Sequence, residues 1–262
     1  MSADLKISRH QAILDRLAES GRARVAELAD GLGVSTMTLR RDLEELEERG
    51  SLKRVHGGAV LTRATGSDPG YWLRHRQARA EKRKIGQLAA SLVRRSESVY
   101  LDTGSTAVEV ARALAARCVR EQIDIRVATH AVNVAAELAS APGISAYLVG
   151  GEVSPETLGT FGPDAVREIA RLNVDIFFLG VTGVDAEHGF TNSSAVGLEV
   201  KRALLKRARR TYVVADGSKW GRTSLLTVCG LEDVDGWVCD RGLARGALRA
   251  LSQTRLELLR TP

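Results

Sequence analysis

Residues 34–59 read VSTMTLRRDLEELEERGSLKRVHGGA, and this stretch decides the fold of the first part of the chain. It opens with small hydroxyl side chains, continues with two adjacent arginines and four glutamates in five positions, and ends in a basic segment closed by His-Gly-Gly. Apolar side chains recur at helical spacing and predict a helix over residues 35–49: Leu39, Leu43 and Leu46. This helix has a cationic beginning and an anionic end, which are expected to have different neighbours.

The segments on either side of this helix complete a small domain over residues 1–61. Residues 8–20 predict a first helix, and residues 25–32 predict a short second helix that ends in a glycine turn. After the third helix, the sequence SLKRVHGGAVL predicts two short strands about a Gly57-Gly58 turn. The predicted order is helix, helix, turn, helix and hairpin.

This order predicts a DNA-binding surface, because a helix-turn-helix unit places the N-terminal part of its second helix against base edges in the major groove. The first two turns of that helix hold hydroxyl and guanidinium groups that suit phosphate and guanine: Thr36, Thr38, Arg40 and Arg41. The glutamates come later and would be repelled by phosphate, so the helix is expected to enter the groove by its tip. The hairpin would act as a wing that grips the adjacent backbone through Lys53, Arg54 and His56.

The same charges have a second interpretation. Many helical hairpins carry mixed charge on a solvated face, and a single Arg-Arg pair is weak evidence for DNA binding. The net charge of +6 does not decide between the two, since residues 1–60 balance basic against acidic side chains and the excess lies in residues 61–95.

The rest of the chain predicts a linker and then an α/β domain. Residues 62–74 contain Gly, Pro, Ser and Asp, which is typical of a linker, and residues 75–262 alternate apolar strands with amphipathic helices. This alternation indicates a mainly parallel sheet covered on both faces. The predicted strands are 98–102, 125–129, 146–150, 175–181, 211–216 and, as the last buried strand, 236–240. The predicted helices are 78–94, 106–116, 131–140, 163–172 and 194–209.

The end of the first of these strands is a candidate anion site. Asp102 is followed by Thr103-Gly104-Ser105-Thr106 and then by a helix. A glycine turn that opens a helix presents unpaired backbone N–H groups and the positive end of the helix dipole, and the hydroxyls add donors. The same residues also suit a helix that needs only a cap, with Ser105 or Thr106 as that cap.

Other glycines and charged residues are expected at the same edge of the sheet, where open α/β sheets bind ligands. They follow strands or lie early in the last predicted helix: Gly150, Gly151, Asp185, Glu199, Lys201 and Lys219. Together they suit a small phosphorylated polyol, with Lys219 paired to phosphate and Asp102 or Asp185 accepting from hydroxyls. Taken singly, each charge also fits a solvated loop, and Lys201 a solvated helix face.

The segment RHQAILDRLAESGRARVAELADGLGVSTMTLRRDLEELEERGSLKRVHGGAV resembles the DeoR-type winged helix of bacterial transcription regulators. The stretches VAELA, VSTMTLRRDL, LEERG and KRVHGGA carry the match. The resemblance implies sequence-specific operator binding, with contacts at matching positions: Ser35, Thr36, Thr38, Arg40, Arg41, Arg54 and His56.

Residues 76–240 are similar to the sensor domain of the same family, which resembles ribose-phosphate isomerases and CoA transferases in fold. The match is carried by LDTGST, LVGGEV, LGTFGPDA, DIFFLGVTGVD followed by GFT, GLEVKRALL and ADGSKWG. It implies a pocket for a phosphorylated sugar or sugar intermediate, lined by Asp102, Gly104, Ser105, Thr106, Gly150, Gly151, Glu199, Lys201 and Lys219. Thr129-His130 departs from the family's usual Thr-Asn, so His130 either alters the effector site or fills space there as a neutral side chain.

These patterns predict an α/β protein in which an N-terminal winged helix-turn-helix domain is joined to a larger sensor domain. Its expected function is to repress carbohydrate-metabolism genes until a phosphorylated sugar releases it from double-stranded operator DNA. A homo-oligomer, dimer or tetramer, is expected because a palindromic operator mirrors a two-fold protein. One alternative is a sugar-phosphate isomerase-like enzyme with an appended DNA-binding module, for which Glu199 is the candidate base. Another is a constitutive DNA binder whose pocket has decayed.

The cysteine, histidine and hydropathy patterns argue against a disulfide-bonded, metal-binding, secreted or membrane-spanning protein. Three cysteines without CxxC spacing and five scattered histidines predict no disulfide frame, no metal site and no cofactor. The N-terminus lacks the apolar core of a signal peptide, and no apolar run approaches the roughly 20 residues that span a bilayer. The expected location is the cytoplasm.

Overall fold

The computed structural model describes residues 3–48, 52–61, 74 and 77–262, and the chain divides into two compact units. The smaller unit is Met1–Pro69 and the larger unit is Gly70–Pro262. Nearly all of the predicted linker lies outside the described residues, so its boundaries stay a prediction.

The described residues of the smaller unit form three helices and a three-stranded antiparallel sheet in the order β1-β3-β2. In chain order its elements are α1 (Ala3–Ser20), β1 (Arg22–Arg24), α2 (Val25–Leu32), α3 (Thr36–Glu48), β2 (Leu52–Val55) and β3 (Gly58–Leu61). The leucines predicted to form the stripe of α3 are buried, and they pack with Ile13, Leu17 and Leu28 in one core. This core confirms the helical spacing that predicted α3.

The wing differs from its prediction in two ways. Its turn is formed by His56 and Gly57 and not by Gly57-Gly58, because Val55 already pairs with Gly58. Gly57 has φ +75°, which favours glycine, whereas a Cβ on Gly58 would lie 2.3 Å from the carbonyl oxygen of Ala23. Gly58 is therefore small because β1 approaches it, and β1 itself was too short to be recognised in the sequence.

The larger unit alternates strands and helices as predicted, with additional short elements. Its helices are α4 (Arg79–Ser91), α5 (Ser105–Glu121), α6 (Val132–Leu138), α7 (Pro163–Ile169), α8 (Leu198–Leu205) and α9 (Arg245–Leu251). Its strands are β4 (Ser98–Leu101), β5 (Ile125–Thr129), β6 (Ile144–Leu148), β7 (Glu152–Ser154), β8 (Gly159–Phe161), β9 (Val174–Leu179), β10 (Gly183–Asp185), β11 (Gly189–Asn192), β12 (Ala208–Val214), β13 (Leu226–Cys229), β14 (Gly236–Cys239) and β15 (Glu257–Arg260).

Seven of these strands form a parallel sheet in the order β15-β14-β12-β9-β4-β5-β6. Successive residues of β9 enter different cores: Ile176 and Phe178 pack on one face of the sheet, and Phe177 and Leu179 pack on the other. Both faces are therefore covered, which is why the central strands read as continuous apolar runs. The carboxyl ends of β12, β9, β4, β5 and β6 lie side by side at one edge.

Several predicted bounds in the larger unit were wrong. The sheet has a further strand, β15, after 236–240, and β15 is only partly buried, so 236–240 remains the last buried strand as predicted. Helix α8 is shorter than the predicted helix at 194–209. Two small sheets, β10-β11-β13 and β7-β8, were not predicted, and three of their five strands have only three residues. Periodicity cannot identify elements that short.

Within the described residues, no helix is both long and apolar enough to cross a membrane. Cys118, Cys229 and Cys239 are buried and form no disulfide. The described part of the chain contains no group of three or more His, Cys, Asp and Glu side chains that could hold a metal ion.

Candidate functional site

The tip of α3 presents exposed side chains on a capped helix start. The backbone N–H of Thr38 donates to Ser35 Oγ at 3.1 Å, and the two hydroxyls lie 2.9 Å apart, so Ser35 and Thr38 form the cap. Thr36, Arg40 and Arg41 are exposed, as is Met37, with 75% of its surface accessible. Two hydroxyls predicted to contact DNA therefore fix the helix start, while the guanidinium groups remain accessible.

A buried carboxylate anchors α3 to α1. Asp42 is 2% exposed and accepts hydrogen bonds from Arg9 Nε at 2.6 Å, Arg9 Nη2 at 3.0 Å and His10 Nε2 at 3.0 Å. Burial acts to raise the pKa of Asp42, but the hydrogen bonds from Arg9 and His10 hold it below its ordinary value. Asp42 was missed in the sequence, where it looked like one more acidic residue on a mixed-charge helix.

The anionic end of α3 holds the wing. Arg54 Nη1 donates to Glu44 Oε1 at 2.6 Å, and the backbone N–H of Arg54 donates to Glu47 Oε1 at 2.7 Å. Lys53 and His56 are exposed on the same hairpin. The glutamates therefore hold the wing against the later part of α3, and a phosphate would have to compete with Glu44 for the guanidinium of Arg54.

In the larger unit, Asp102 lies at the carboxyl end of β4 with no solvent exposure. Its Oδ1 accepts from the N–H of Thr103 at 2.8 Å, and its Oδ2 accepts from the N–H of Gly180 at 2.9 Å. Lys201 Nζ makes an ion pair with Oδ2 and donates to the carbonyl oxygen of Gly180 at 2.9 Å. Asp102 thus joins the ends of β4 and β9 to α8.

Lys201 does not lie on a solvated helix face, which was one interpretation of its position in the sequence. Only 4% of it is exposed, and it lies on the buried side of α8 with Val200 and Leu204. Its charge can be buried there because the carboxylate of Asp102 pairs with it and two oxygens accept its hydrogens.

His130 lies beside this ion pair and is completely buried. Its Nδ1 is 3.1 Å from the hydroxyl of Tyr100, and its Nε2 is 3.6 Å from Asp102 Oδ1. Among the described residues, Nε2 has no hydrogen-bond partner. Burial lowers the pKa of His130 to about 4, so the ring is neutral at physiological pH. The tautomer in which Tyr100 donates to Nδ1 carries the ring proton on Nε2, the nitrogen that faces Asp102 Oδ1.

Acid is expected to destabilise the larger unit through His130. Because its pKa falls from the ordinary value to about 4 on folding, the unfolded chain binds the extra proton, and stability is lost as the pH falls from about 6.5 to 4. The loss reaches about 3 kcal/mol at the lower end. Urea unfolding between pH 7 and 4 measures how steeply the free energy of unfolding falls with pH. This dependence should be weaker in His130→Asn than in wild type. Substitution of the exposed His188 by Asn should not weaken it. Equal slopes for wild type and His130→Asn would contradict this assignment.

The start of α5 is open toward the same edge. Gly104 precedes the helix with φ +117°, and a Cβ built on it would meet no atom within 4 Å. The first N–H groups of a helix have no acceptor within it, so those of Ser105 and Thr106 are suited to an anion. Ser105 is buried and Thr106 is partly buried.

The remaining predicted residues have diverse surroundings. The N–H of Gly150 donates to Glu168 Oε2 at 3.2 Å, and a Cβ on Gly151 would lie 2.4 Å from the carbonyl oxygen of Phe161. Gly151 is thus explained by the approach of β8, without a ligand. The Asp185 Oδ1 accepts from the backbone N–H groups of Glu187 and His188 and closes the β10–β11 turn, so this oxygen already has partners.

Two further predicted residues and one buried lysine complete the site. Glu199 is exposed in the first turn of α8. Lys219 is partly buried in a short 3-10 turn after β12, which Asp216 caps by accepting from the N–H of Ser218 at 3.2 Å. Lys82 of α4 is buried close to this turn, which contradicts the solvated face expected by default for its basic run Arg79, Lys82, Arg83 and Lys84.

The two units match two families of domains in order. Residues 9–65 match the DeoR-like helix-turn-helix domain, and residues 77–241 match the DeoR C terminal sensor domain. The chain belongs to the DeoR family of transcriptional regulators. This confirms the resemblance inferred from the motifs and the division into a winged helix-turn-helix and an α/β sensor domain.

Relatives match the DeoR chain over nearly its whole length. The HTH-type transcriptional repressor GlcR of Bacillus subtilis (strain 168) is 34% identical over 250 residues, which cover 95% of this chain and 94% of GlcR. The transcriptional repressor AccR of Agrobacterium fabrum is 34% identical over 235 residues, which cover 89% of each chain. These relatives support a regulator, and none of the comparisons supports the enzyme alternative based on Glu199.

Solved structures resemble the chain only weakly. Ribose 5-phosphate isomerase A of Methanocaldococcus jannaschii has a TM-score of 0.41 at 19% identity, with 55% of each chain covered. The eIF2B delta protein of Chaetomium thermophilum has a TM-score of 0.43 at 16% identity, with 64% of this chain and 58% of that chain covered. Scores this low carry no argument about the function of the DeoR chain.

Proposed function

We propose that this DeoR regulator is a cytoplasmic repressor of carbohydrate-metabolism genes, released from its operator by a phosphorylated sugar or sugar intermediate. The observation that carries the proposal is the pairing of Asp102 with Lys201 beside the open start of α5, at the carboxyl edge of the sheet. That edge is where α/β sheets bind ligands. The repressor names of GlcR and AccR agree with the direction of regulation.

The phosphate would bind at the start of α5. Backbone N–H groups there and the helix dipole favour an anion, and Lys219 would add a mobile positive charge. The sugar hydroxyls would find Nε2 of His130, a buried donor whose partner is missing among the described residues. Asp102 is a weaker candidate for hydroxyl contacts than the sequence indicated, because Lys201 and two backbone N–H groups already donate to it.

The DNA would bind at the exposed tip of α3 and at the wing. Arg40 and Arg41 are the candidates for base contacts, and Thr36, Lys53 and His56 are candidates for backbone contacts. Arg54 is first a positioning residue, since Glu44 and Glu47 hold it. A two-fold homo-oligomer would present two such tips to a palindromic operator.

Lys219→Ala is expected to weaken sugar-phosphate binding about tenfold to a hundredfold, because a charge-assisted contact with phosphate is lost. Thermal shift and calorimetry with pentose and hexose monophosphates, each beside its unphosphorylated sugar, would measure this. The control is Lys206→Ala, which removes an exposed lysine at the C-terminal end of α8 and should behave like wild type.

Operator affinity without ligand should be unchanged in Lys219→Ala. If the substitution removes DNA binding while sugar-phosphate binding persists, the assignment of the pocket is wrong. If no sugar phosphate shifts the wild-type protein, a constitutive DNA binder becomes the better description.

A further inference from the structure

Lys82 is a buried cation that holds the chain just before α4. Only 4% of it is exposed, and its Nζ donates to the carbonyl oxygens of Arg74 and, at 2.6 Å, Gln77. Arg74 and Gln77 belong to the segment that leads into the sensor domain. Two carbonyl oxygens do not neutralise an ammonium group, so the charge of Lys82 depends on its wider surroundings.

Charged residues of the turn after β12 and of α5 influence the charge of Lys82. The carboxylate of Asp216 makes the largest favourable charge contribution, Glu109 of α5 makes a smaller one, and Lys219 and Arg74 oppose them. The packing agrees, because a Cβ on Gly86 would lie 2.5 Å from the carbonyl oxygen of Glu109. Lys82 is one turn before Gly86 and therefore on the same face of α4.

The backbone before α4 is strained. Ala78, the residue that precedes the helix, has φ +51° and ψ +40°, a left-handed conformation that is unfavourable for an alanine. Its carbonyl oxygen accepts from the N–H of Lys82 at 2.9 Å. A segment under strain and held by one ammonium group responds to changes in the charge of that group.

We propose that Lys82 is a second cation of the effector site, through which an anion bound beside Lys219 acts on Arg74 and Gln77 before α4. This rests on the proposed function, since it takes the phosphate of the effector to be that anion. The bound dianion strengthens the positive charge of Lys82 and its hold on the two carbonyl oxygens. The same group thus senses the ligand and fixes the segment that continues toward the DNA-binding domain.

The proposal predicts that the ligand binds together with a proton. Burial lowers the pKa of Lys82 to about 8, so the group is half protonated near that pH, and a neighbouring dianion raises its pKa again. A phosphomonoester is already a dianion there, since its second pKa is about 6. Calorimetry at pH 8 with the best pentose or hexose monophosphate, in buffers of different ionisation enthalpy, should detect uptake of about half a proton per site.

Substitutions of Lys82 separate its charge from its structural role. Lys82→Arg keeps the charge but does not titrate, so it should bind the sugar phosphate without proton uptake. Lys82→Met should bind operator DNA but need at least about tenfold more ligand for release. Hydrogen exchange at residues 78–82 should slow on ligand binding in wild type and not in Lys82→Met. Lys84→Met, an exposed lysine on the same helix, should behave like wild type throughout.

The outcomes distinguish this inference from the proposed function. Wild-type protein that binds a sugar phosphate without proton uptake, or uptake that persists in Lys82→Arg, would overturn the role of Lys82 alone. Wild-type protein that binds none of the sugar phosphates would overturn the proposed function and this inference with it.

Discussion

Lys201→Met is expected to lower the free energy of unfolding of the sensor domain by about 3–5 kcal/mol, because it leaves a buried carboxylate without its counter-charge. Asp102 has no solvent exposure, and without Lys201 its remaining hydrogen-bond donors among the described residues are the N–H groups of Thr103 and Gly180. Urea unfolding at neutral pH, followed by the fluorescence of the buried Trp237, would measure the change.

Two comparisons make the Lys201 experiment specific. Lys206→Met removes an exposed lysine at the end of the same helix and should change stability by less than about 0.5 kcal/mol. Asp102→Asn combined with Lys201→Met should lose less stability than Lys201→Met alone, since no unpaired charge is buried. A loss below about 1 kcal/mol in Lys201→Met would mean that the ion pair is not buried in solution.

Arg41→Ala is expected to reduce binding to the specific operator about tenfold to a hundredfold, because a guanidinium that reads guanine contributes about 1–3 kcal/mol of discrimination. Arg41 is exposed near the start of α3, and the leucine stripe and Asp42 fix the opposite face of that helix. Fluorescence anisotropy with operator and unrelated duplexes would measure both affinities. Binding to unrelated duplexes should change much less.

Lys53→Ala provides the contrast to Arg41→Ala. Lys53 is exposed on the wing, where it can contact phosphate but is not placed to read bases. Its loss should weaken binding to all duplexes alike. It should also reduce the slope of log affinity against log salt concentration by about one. If Arg41→Ala instead weakens all duplexes equally, the assignment of α3 as the recognition helix is wrong.

The sequence predicted the fold wherever a pattern was long enough to repeat. The stripe of Leu39, Leu43 and Leu46 identified α3, and the apolar runs identified the central strands because both faces of the sheet are covered. Strands of three residues, such as β1 and β10, contain too few repeats to be recognised. The edge strand β15 was missed as well, because two of its four residues are exposed.

The sequence predicted the site less completely, because burial of a charge depends on a distant partner. Taken singly, Lys201 also fits a solvated helix face, yet its carboxylate partner lies 99 positions earlier in the chain. Asp42 is held by Arg9, 33 positions away, and Lys82 is held by backbone carbonyls. No local spacing encodes these pairs, whereas the Gly104 turn and the Ser35 cap are local and could be predicted.

The most direct test of the account is a titration of a labelled operator fragment, bound to the wild-type protein, with pentose and hexose monophosphates. At least one sugar phosphate should lower the anisotropy to that of free DNA, and its unphosphorylated sugar should not. In Lys219→Ala, the midpoint of this release should shift to a higher concentration of sugar phosphate. Anisotropy that stays unchanged with every sugar phosphate, or that falls equally with the unphosphorylated sugar, would contradict the account.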